Sequence, residues 1–202
     1  MYNPSKFKVE DLDKSLDLIS RYPLATLISH TADGPFVSHL PLVAEKTSDG
    51  LFLYGHLARA NPHLKLLKTS SVYIIFHGPN GYITPSWYAE HDVPTWNYAV
   101  VHMQGECELM ENSAAIEDCL KRLTHQMEAK RELPWEFSIP SDLSAPGVME
   151  RAITGFKISV MRMQAKFKLS QNRNETDRAG VINGLQQEGN DASREMLRLM
   201  RE

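Results

Sequence analysis

Leu24-Ala-Thr-Leu-Ile-Ser29, Ala32-Asp-Gly34, Phe36-Val-Ser-His-Leu-Pro-Leu-Val43, Ser48-Asp-Gly50 and Leu51-Phe-Leu-Tyr54 follow one another in the first quarter of the chain. Three short runs of strand-forming residues are thus separated by Asp-Gly, the pair that turns a chain back on itself most readily. A fourth run, Val72 to Phe76, has the same character. The pattern predicts an antiparallel meander. A short helix is expected inside it from Asn61 to Leu67, with Asn61 as N-cap and Pro62 at the first helical position.

Outward from the meander, residues 10 to 21 carry Leu12, Leu16 and Ile19 at helical spacing, and Pro23 stops the run. Ala99 to Met110 reads as one long strand or a strand pair. Ser113 to Lys130 reads as a helix, with Ile116, Leu120, Leu123 and Met127 on one face and Glu117 and Asp118 in its first turn. Residues 153 to 164 return to β character, with Phe156, Ile158 and Val160 on one face. A last helical stretch begins near Thr176, breaks at Gly189 and resumes to Arg201. Strands come first and helices are added late, so the expected class is mainly β with α additions, an α+β barrel and not a doubly wound sheet. No linker or repeat divides the chain, and one domain over 1–202 with a helical extension from about 176 is the economical reading.

The chain has 202 residues, 42% hydrophobic and 23% charged, which is enough for a substantial core and too apolar for disorder. No stretch approaches the roughly 18 apolar residues that span a bilayer, and the first residues carry no apolar signal core. A cytoplasmic protein without membrane contact is expected. Cys107 and Cys119 stand apart, with no metal or redox pattern, and are read as reduced and structural. A net charge of −3 gives no general attraction to DNA.

Three segments carry chemistry. Between Tyr82 and Tyr98 lie five aromatics in seventeen residues, where the overall 8% predicts one or two. Pro85 and Pro94 brace this segment, and rings held in that way suit a planar, partly polar ligand such as a flavin. Trp87 and Trp96 filling a core or a dimer interface is the alternative. Gly55-His-Leu-Ala-Arg-Ala-Asn-Pro62 joins a strand end to a helix start, where free N–H groups and the Arg59 guanidinium suit a phosphate and His56 adds a donor. A capped helix with a surface arginine is the plainer alternative. Lys166-Phe-Lys-Leu-Ser-Gln-Asn-Arg173 ends the late strand. There Gln171 and Asn172 match the donors and acceptors of a heterocycle edge, and Lys168 could balance negative charge on it. A solvated basic strand end is the other reading. Of the eight histidines, His39, His56, His63, His77 and His102 are the ones placed to converge, yet no pair has metal-site spacing with a carboxylate or cysteine, so no metal is expected.

Met1-Tyr-x-Pro-x-x-Phe7, Val37-Ser-His-Leu-Pro41, Gly55 to Pro62, Gly78-Pro79, Tyr82-Ile-Thr-Pro-Ser-Trp-Tyr88, Val93-Pro-Thr-Trp-Asn-Tyr98 and Lys166 to Asn172 together resemble the PaiB-type family, described as FMN-binding negative transcriptional regulators. The resemblance runs in order from the first residue to about Leu185. It implies a split β-barrel of the flavin-reductase and pyridoxamine-phosphate-oxidase type, a homodimer, and FMN in a groove at the subunit interface. It implies Arg59, His56 and Asn61 on the phosphate side, Lys168 and Gln171 near the ring, and Trp96 as a wall. Two functions fit: a flavin-binding transcriptional regulator, and an FMN-dependent, NAD(P)H-linked oxidoreductase on the same scaffold. Haem binding or degradation on a related barrel is a third. No helix-turn-helix is legible, so DNA is a partner the charge balance does not support.

Overall fold

Both Asp-Gly segments close hairpins in the computed structural model, which describes residues 1–90, 92–139 and 148–201. Thr31 pairs with Gly34 and Thr47 with Gly50, and the two glycines take φ of +119° and +141°, values that a side chain would strain. The strands around them are β2 (Leu24–Thr31), β3 (Gly34–Pro41), β4 (Val43–Thr47) and β5 (Gly50–Ala58), preceded by β1 (Lys8–Val9) and α1 (Leu12–Arg21). The single run expected from Phe36 to Val43 is therefore two strands. Pro41 has no N–H to continue a ladder, and Leu42 turns its own N–H to Pro23 O at 2.9 Å.

The chain continues through α2 (His63–Leu67), β6 (Val72–Ile83), β7 (Thr95–Met110), α3 (Ser113–Glu128), α4 (Val148–Ala152), β8 (Ile153–Lys168), α5 (Glu175–Glu188) and α6 (Asp191–Arg201). Eight strands form one sheet in the order β3-β2-β6-β7-β8-β5-β4, with β1 on β8, so the fold is α+β as expected. β7 is one strand of sixteen residues, which decides between the two sequence alternatives. Strands β6 and β7 also claim Tyr82, Ile83 and Thr95 to Tyr98, so only the middle of the aromatic segment is a loop.

The residues cluster into two units. The meander unit comprises Ile19–Phe76 and His102–Met163. Leu27, Leu42, Leu53, Ile74, Phe76, Met103, Phe156 and Ile158 are among its buried side chains, and α3 adds Ile116, Cys119 and Leu123. Cys119 takes the place expected for Leu120, and Met127 at the end of the predicted stripe is exposed. Both cysteines are free, and burial pushes the Cys107 thiol up to about 12 and the Cys119 thiol to about 11, which suits packing and not reactivity.

The terminal unit comprises Met1–Leu18, His77–Val101 and Gln164–Glu202. Here α5 and α6 are joined at Gly189, whose φ of 60° ends the first helix at the residue the sequence marks. A 3₁₀ turn, Pro85–Trp87, lies against α5. A Cβ at Gly180 would stand 1.9 Å from Trp87 O, and one at Gly184 would stand 2.2 Å from the Trp87 ring. The two glycines, one helical turn apart, form the notch that receives this tryptophan. In an open helix Gly→Ala gains about 1 kcal/mol, whereas overpacking against fixed backbone costs about 1–3 kcal/mol. Gly180→Ala is therefore expected to lower the urea midpoint, and a raised midpoint would show that the notch yields.

Candidate functional site

The chemistry-bearing residues of the meander unit gather where β5 ends. Strand β5 pairs antiparallel with β8 through His56↔Gly155, Leu57↔Thr154 and Ala58↔Ile153, and Arg59 extends the ladder by donating its N–H to Ala152 O at 2.9 Å. His56 thus belongs to a strand and not to a helix start. Helix α2 has only five residues, too few for an N-terminal dipole site. Its first turn is closed by Asn61, whose Oδ1 accepts the His63 N–H at 2.9 Å and whose Nδ2 reaches Ser38 Oγ at 3.5 Å. His63 is fully buried, with Nδ1 2.8 Å from Ser38 Oγ and Nε2 3.0 Å from Ser29 Oγ, so it anchors α2 to β2 and β3.

On this side of α2 lies a cavity of about 330 Å³ lined by Arg59, Leu64, Lys65, Lys68, Thr69 and Thr154, with Leu109 and Glu111 completing the wall. Three cations face one carboxylate, and that carboxylate is engaged by Lys68 at 3.2 Å. Thr154 is 1% exposed, and its hydroxyl has no hydrogen-bond partner. The Nδ1 of His56 is likewise buried without a partner. Orphaned polar atoms of this kind cost about 1–3 kcal/mol each, and Asn3, Tyr88 and Gln126 also carry one. Side-chain cations, and not the helix end expected from sequence, give this cavity its positive charge. Lys65, Lys68, Thr69 and Thr154 were missed by sequence reasoning; Thr154 lies far along the chain and only the β5–β8 register brings it near Arg59.

The other three expected residues, Trp96, Lys168 and Gln171, all belong to the terminal unit. Lys168 Nζ donates to Trp96 O at 2.8 Å and also to Thr95 Oγ1. Burial, and after it the charges of Lys166, Arg173 and Lys6, hold the Lys168 ammonium below the usual lysine range. Trp96 is 49% exposed and stands beside Tyr82, 50% exposed, with centroids 6.2 Å apart at 59°. Gln171 is occupied by its own turn: its Oε1 accepts the Leu169 N–H at 2.6 Å and its Nε2 donates to Phe167 O at 2.5 Å. Between them Ser170 takes a φ of 61°, and its hydroxyl meets the buried Asn97 amide at 2.9 Å. Serine has no marked preference for that conformation, so nothing in the sequence signals this turn.

Trp87 and Trp96 have separate fates. Trp87 is fixed in the α5 notch, and the next residues are tied down as well. The N–H of Ala89 donates to Asp177 Oδ1 at 2.9 Å, while Arg173 pairs with Asp92 and lies 4.4 Å from the Tyr88 ring centroid. Only Trp96 presents its face. Of the other histidines, His39 meets Thr26 at 3.2 Å and His102 meets the Tyr73 hydroxyl at 3.0 Å. Among the described residues no group of three His, Cys, Asp or Glu side chains could hold a metal ion, and no helix is long and apolar enough to cross a membrane.

A family model described as "Putative FMN-binding domain" matches residues 1–162. The chain is 36% identical over 204 residues to the protease synthase and sporulation protein PAI 2 of Bacillus subtilis, a match covering 99% of this chain and 96% of that one. It is 32% identical over 203 residues to the uncharacterized protein AN0679 of Emericella nidulans, covering 82% of this chain and 80% of that one. Among solved structures, the flavocytochrome Anf3 of Azotobacter vinelandii matches with a TM-score of 0.61 at 16% identity, over 86% of this chain and 75% of that one. An FAD and heme binding protein of Mycobacterium smegmatis matches with a TM-score of 0.61 at 15% identity, over 80% and 73%. These structural likenesses concern the fold, and they agree with the split-barrel expectation.

Burial holds both His56 and His63 below the usual histidine range, so each is neutral when folded. The unfolded chain takes up those protons first as pH falls through about 6.5. The stability associated with a neutral His63 is therefore complete above about pH 6.5 and is lost as the pH falls towards its lower folded value. Urea midpoints followed from pH 7.5 to 5 should fall, and His63→Gln should flatten that slope; an equal slope in the variant would relieve His63 of the role.

Proposed function

The chain belongs to the FMN-binding family whose model covers residues 1–162, and with FMN as its cofactor we propose that the flavin's phosphate is held in the cavity at Arg59. The observation that carries this is Thr154, a buried hydroxyl without a partner in the wall of a cavity that also holds the Arg59, Lys65 and Lys68 side chains. A phosphate supplies acceptors for all four groups, and Arg59 can engage two of its oxygens at once. His56 has an unpartnered Nδ1, but it lies on the opposite face of β5 from Leu57 and Thr154 and outside the cavity lining, so the phosphate is not assigned to it in this reading. Pro62, and not Asn61 as expected, is the N-cap of α2; Asn61 serves there by closing the turn that precedes the helix, its Oδ1 accepting the His63 N–H. Within the terminal unit, Trp96, Lys168 and Gln171 are proposed as the residues suited to a flavin ring. Trp96 offers a half-exposed face and Lys168 a positive charge; Gln171 must exchange its backbone bonds to reach a ligand.

Bound FMN supplies a two-electron redox centre; the chain's own residues bind it, orient it and set its electrostatic surroundings. We infer a role in negative transcriptional regulation, as the family resemblance suggests, exerted without strong DNA binding of its own because the net charge is −3. A homodimer is part of this reading. A flavin-dependent oxidoreductase is the second reading, and one observation favours it: Trp87 is committed to α5, so it cannot cover a flavin ring as an aromatic lid would.

Arg59→Ala should weaken FMN binding by one to two decades, the equivalent of about 1.5–3 kcal/mol for a charge-assisted contact, and should narrow the preference for FMN over riboflavin. Equal affinity in wild type and variant, read by flavin fluorescence quenching, would move the phosphate elsewhere. Thr154→Val is expected to act in opposite directions: FMN affinity falls roughly threefold to tenfold while the flavin-free protein gains about 1 kcal/mol, since an unpaired hydroxyl is removed. Sedimentation at micromolar concentration should give about twice the 22.9 kDa chain mass. For the choice between roles, anaerobic NADH or NADPH added to the FMN-loaded protein should bleach the flavin slowly or not at all; rapid bleaching with multiple turnover would establish the oxidoreductase.

A further inference from the structure

The terminal unit concentrates positive charge on one face of β8. Lys166 and Lys168 are two residues apart on a strand and so emerge on the same side. Lys166 is 8% exposed, and among the described residues its ammonium meets Tyr2 O at 3.3 Å and the rings of Tyr98 and Tyr2, whose centroids are 5.2 and 5.6 Å away. Among the described residues neither Lys166, Lys168 nor Lys6 has a carboxylate within ion-pair distance; Glu10 pairs with Lys8 at 2.5 Å and Asp92 with Arg173. A buried ammonium with no counter-charge is costly, and carbonyls and ring faces offset only part of that cost. The depressed proton affinity of Lys168, for which Lys166, Arg173 and Lys6 are partly responsible, reports the same uncompensated field. Beside this charge stand the half-exposed rings of Trp96 and Tyr82, and Lys168 is hydrogen-bonded to the backbone of one of them.

A planar ligand that gains negative charge during its own chemistry fits such a surface better after the gain than before. FMN is that kind of ligand. When the oxidised ring accepts two electrons and one proton near neutral pH, one net negative charge remains on its pyrimidine edge. We propose that Lys166 and Lys168, with Lys6 beside them, form a charge-compensating cluster that makes the protein bind reduced FMN more tightly than oxidised FMN. The inference rests on the FMN reading and on Trp96 and Lys168 serving the ring; it adds that the resting site favours the reduced state. Coulombic attraction in a partly buried site is several times stronger than in water, so one extra ligand charge close to two ammonium groups is enough to shift the preference by a decade or more.

The test compares dissociation constants of oxidised and reduced FMN, with the protein and flavin reduced anaerobically by dithionite, a low-potential donor that supplies the two electrons and is itself oxidised to sulfite. Wild type should hold reduced FMN at least tenfold more tightly, which places the midpoint potential of the bound flavin about 30 mV above that of free FMN. Lys168→Gln and Lys166→Gln should each bring the ratio within about threefold, and Lys168→Arg, which keeps the charge, should restore it. Arg59→Ala should weaken both states by the same factor and leave the ratio in place. A wild-type ratio of one or less, or a ratio unchanged in both glutamine variants, overturns the proposal while the FMN reading stands. Failure of wild type to bind FMN in either state overturns the FMN reading, and this inference with it. If a glutamine variant does not fold, Lys168→Met, with its fold verified by circular dichroism, takes its place: the ratio should come within about threefold, and an unchanged ratio overturns the proposal.

Discussion

The pairing of β5 with β8 fixes the geometry on which the proposed anion site depends. It runs from Phe52↔Ser159 to Ala58↔Ile153 and is prolonged by the Arg59 to Ala152 bond, joining segments about a hundred residues apart. A slip of one residue would turn every side chain to the opposite face, so the register that buries Leu53, Phe156 and Ile158 in the core also sets Thr154 beside the end of β5. Core packing and site assembly are therefore one constraint. Helix α2 can be short because it is not self-supporting; His63, bonded through both ring nitrogens to Ser29 and Ser38, holds it against β2 and β3.

Polar groups in this protein divide by whether their hydrogen bonds are complete. Asn61, His63, Asn97 and Ser170 find partners inside the chain, and each closes a turn or secures an element. Thr154, His56 and Lys166 do not reach that state: two are orphaned and the third is a nearly buried cation with only a carbonyl and aromatic rings. Folding alone gives no reason to bury such groups incompletely. His56 and Lys166 lie in segments for which ligand chemistry was expected, whereas Thr154 lies outside them and comes to Arg59 only through the β5–β8 register.

The aromatic segment shows how one composition serves two ends. Trp87 enters a notch that exists because Gly180 and Gly184 lack side chains, and Asp177 and Arg173 fasten the residues that follow. This anchoring removes loop entropy before any ligand arrives. Trp96, only nine positions on, lies in a strand and keeps its face open.

Local physics made several features legible in the amino-acid sequence. The Asp-Gly hairpins, the Ser113 helix and the break at Gly189 depend on turn chemistry and on contacts three or four residues apart, all of which a linear reading contains. Arg59, Trp96 and Lys168 were also legible as candidates, because their residue types suit a phosphate or a planar ring wherever they are placed. Only tertiary structure decided that β5 continues through His56, that Cys119 and not Leu120 faces the core, and that Trp87 packs while Trp96 does not. It alone joined Lys65, Lys68 and Thr154 to Arg59. The reason is that strand register and helix docking are settled by burial summed over distant segments, and a hydroxyl's lack of a partner is a property of its neighbours, which no single position in the sequence records.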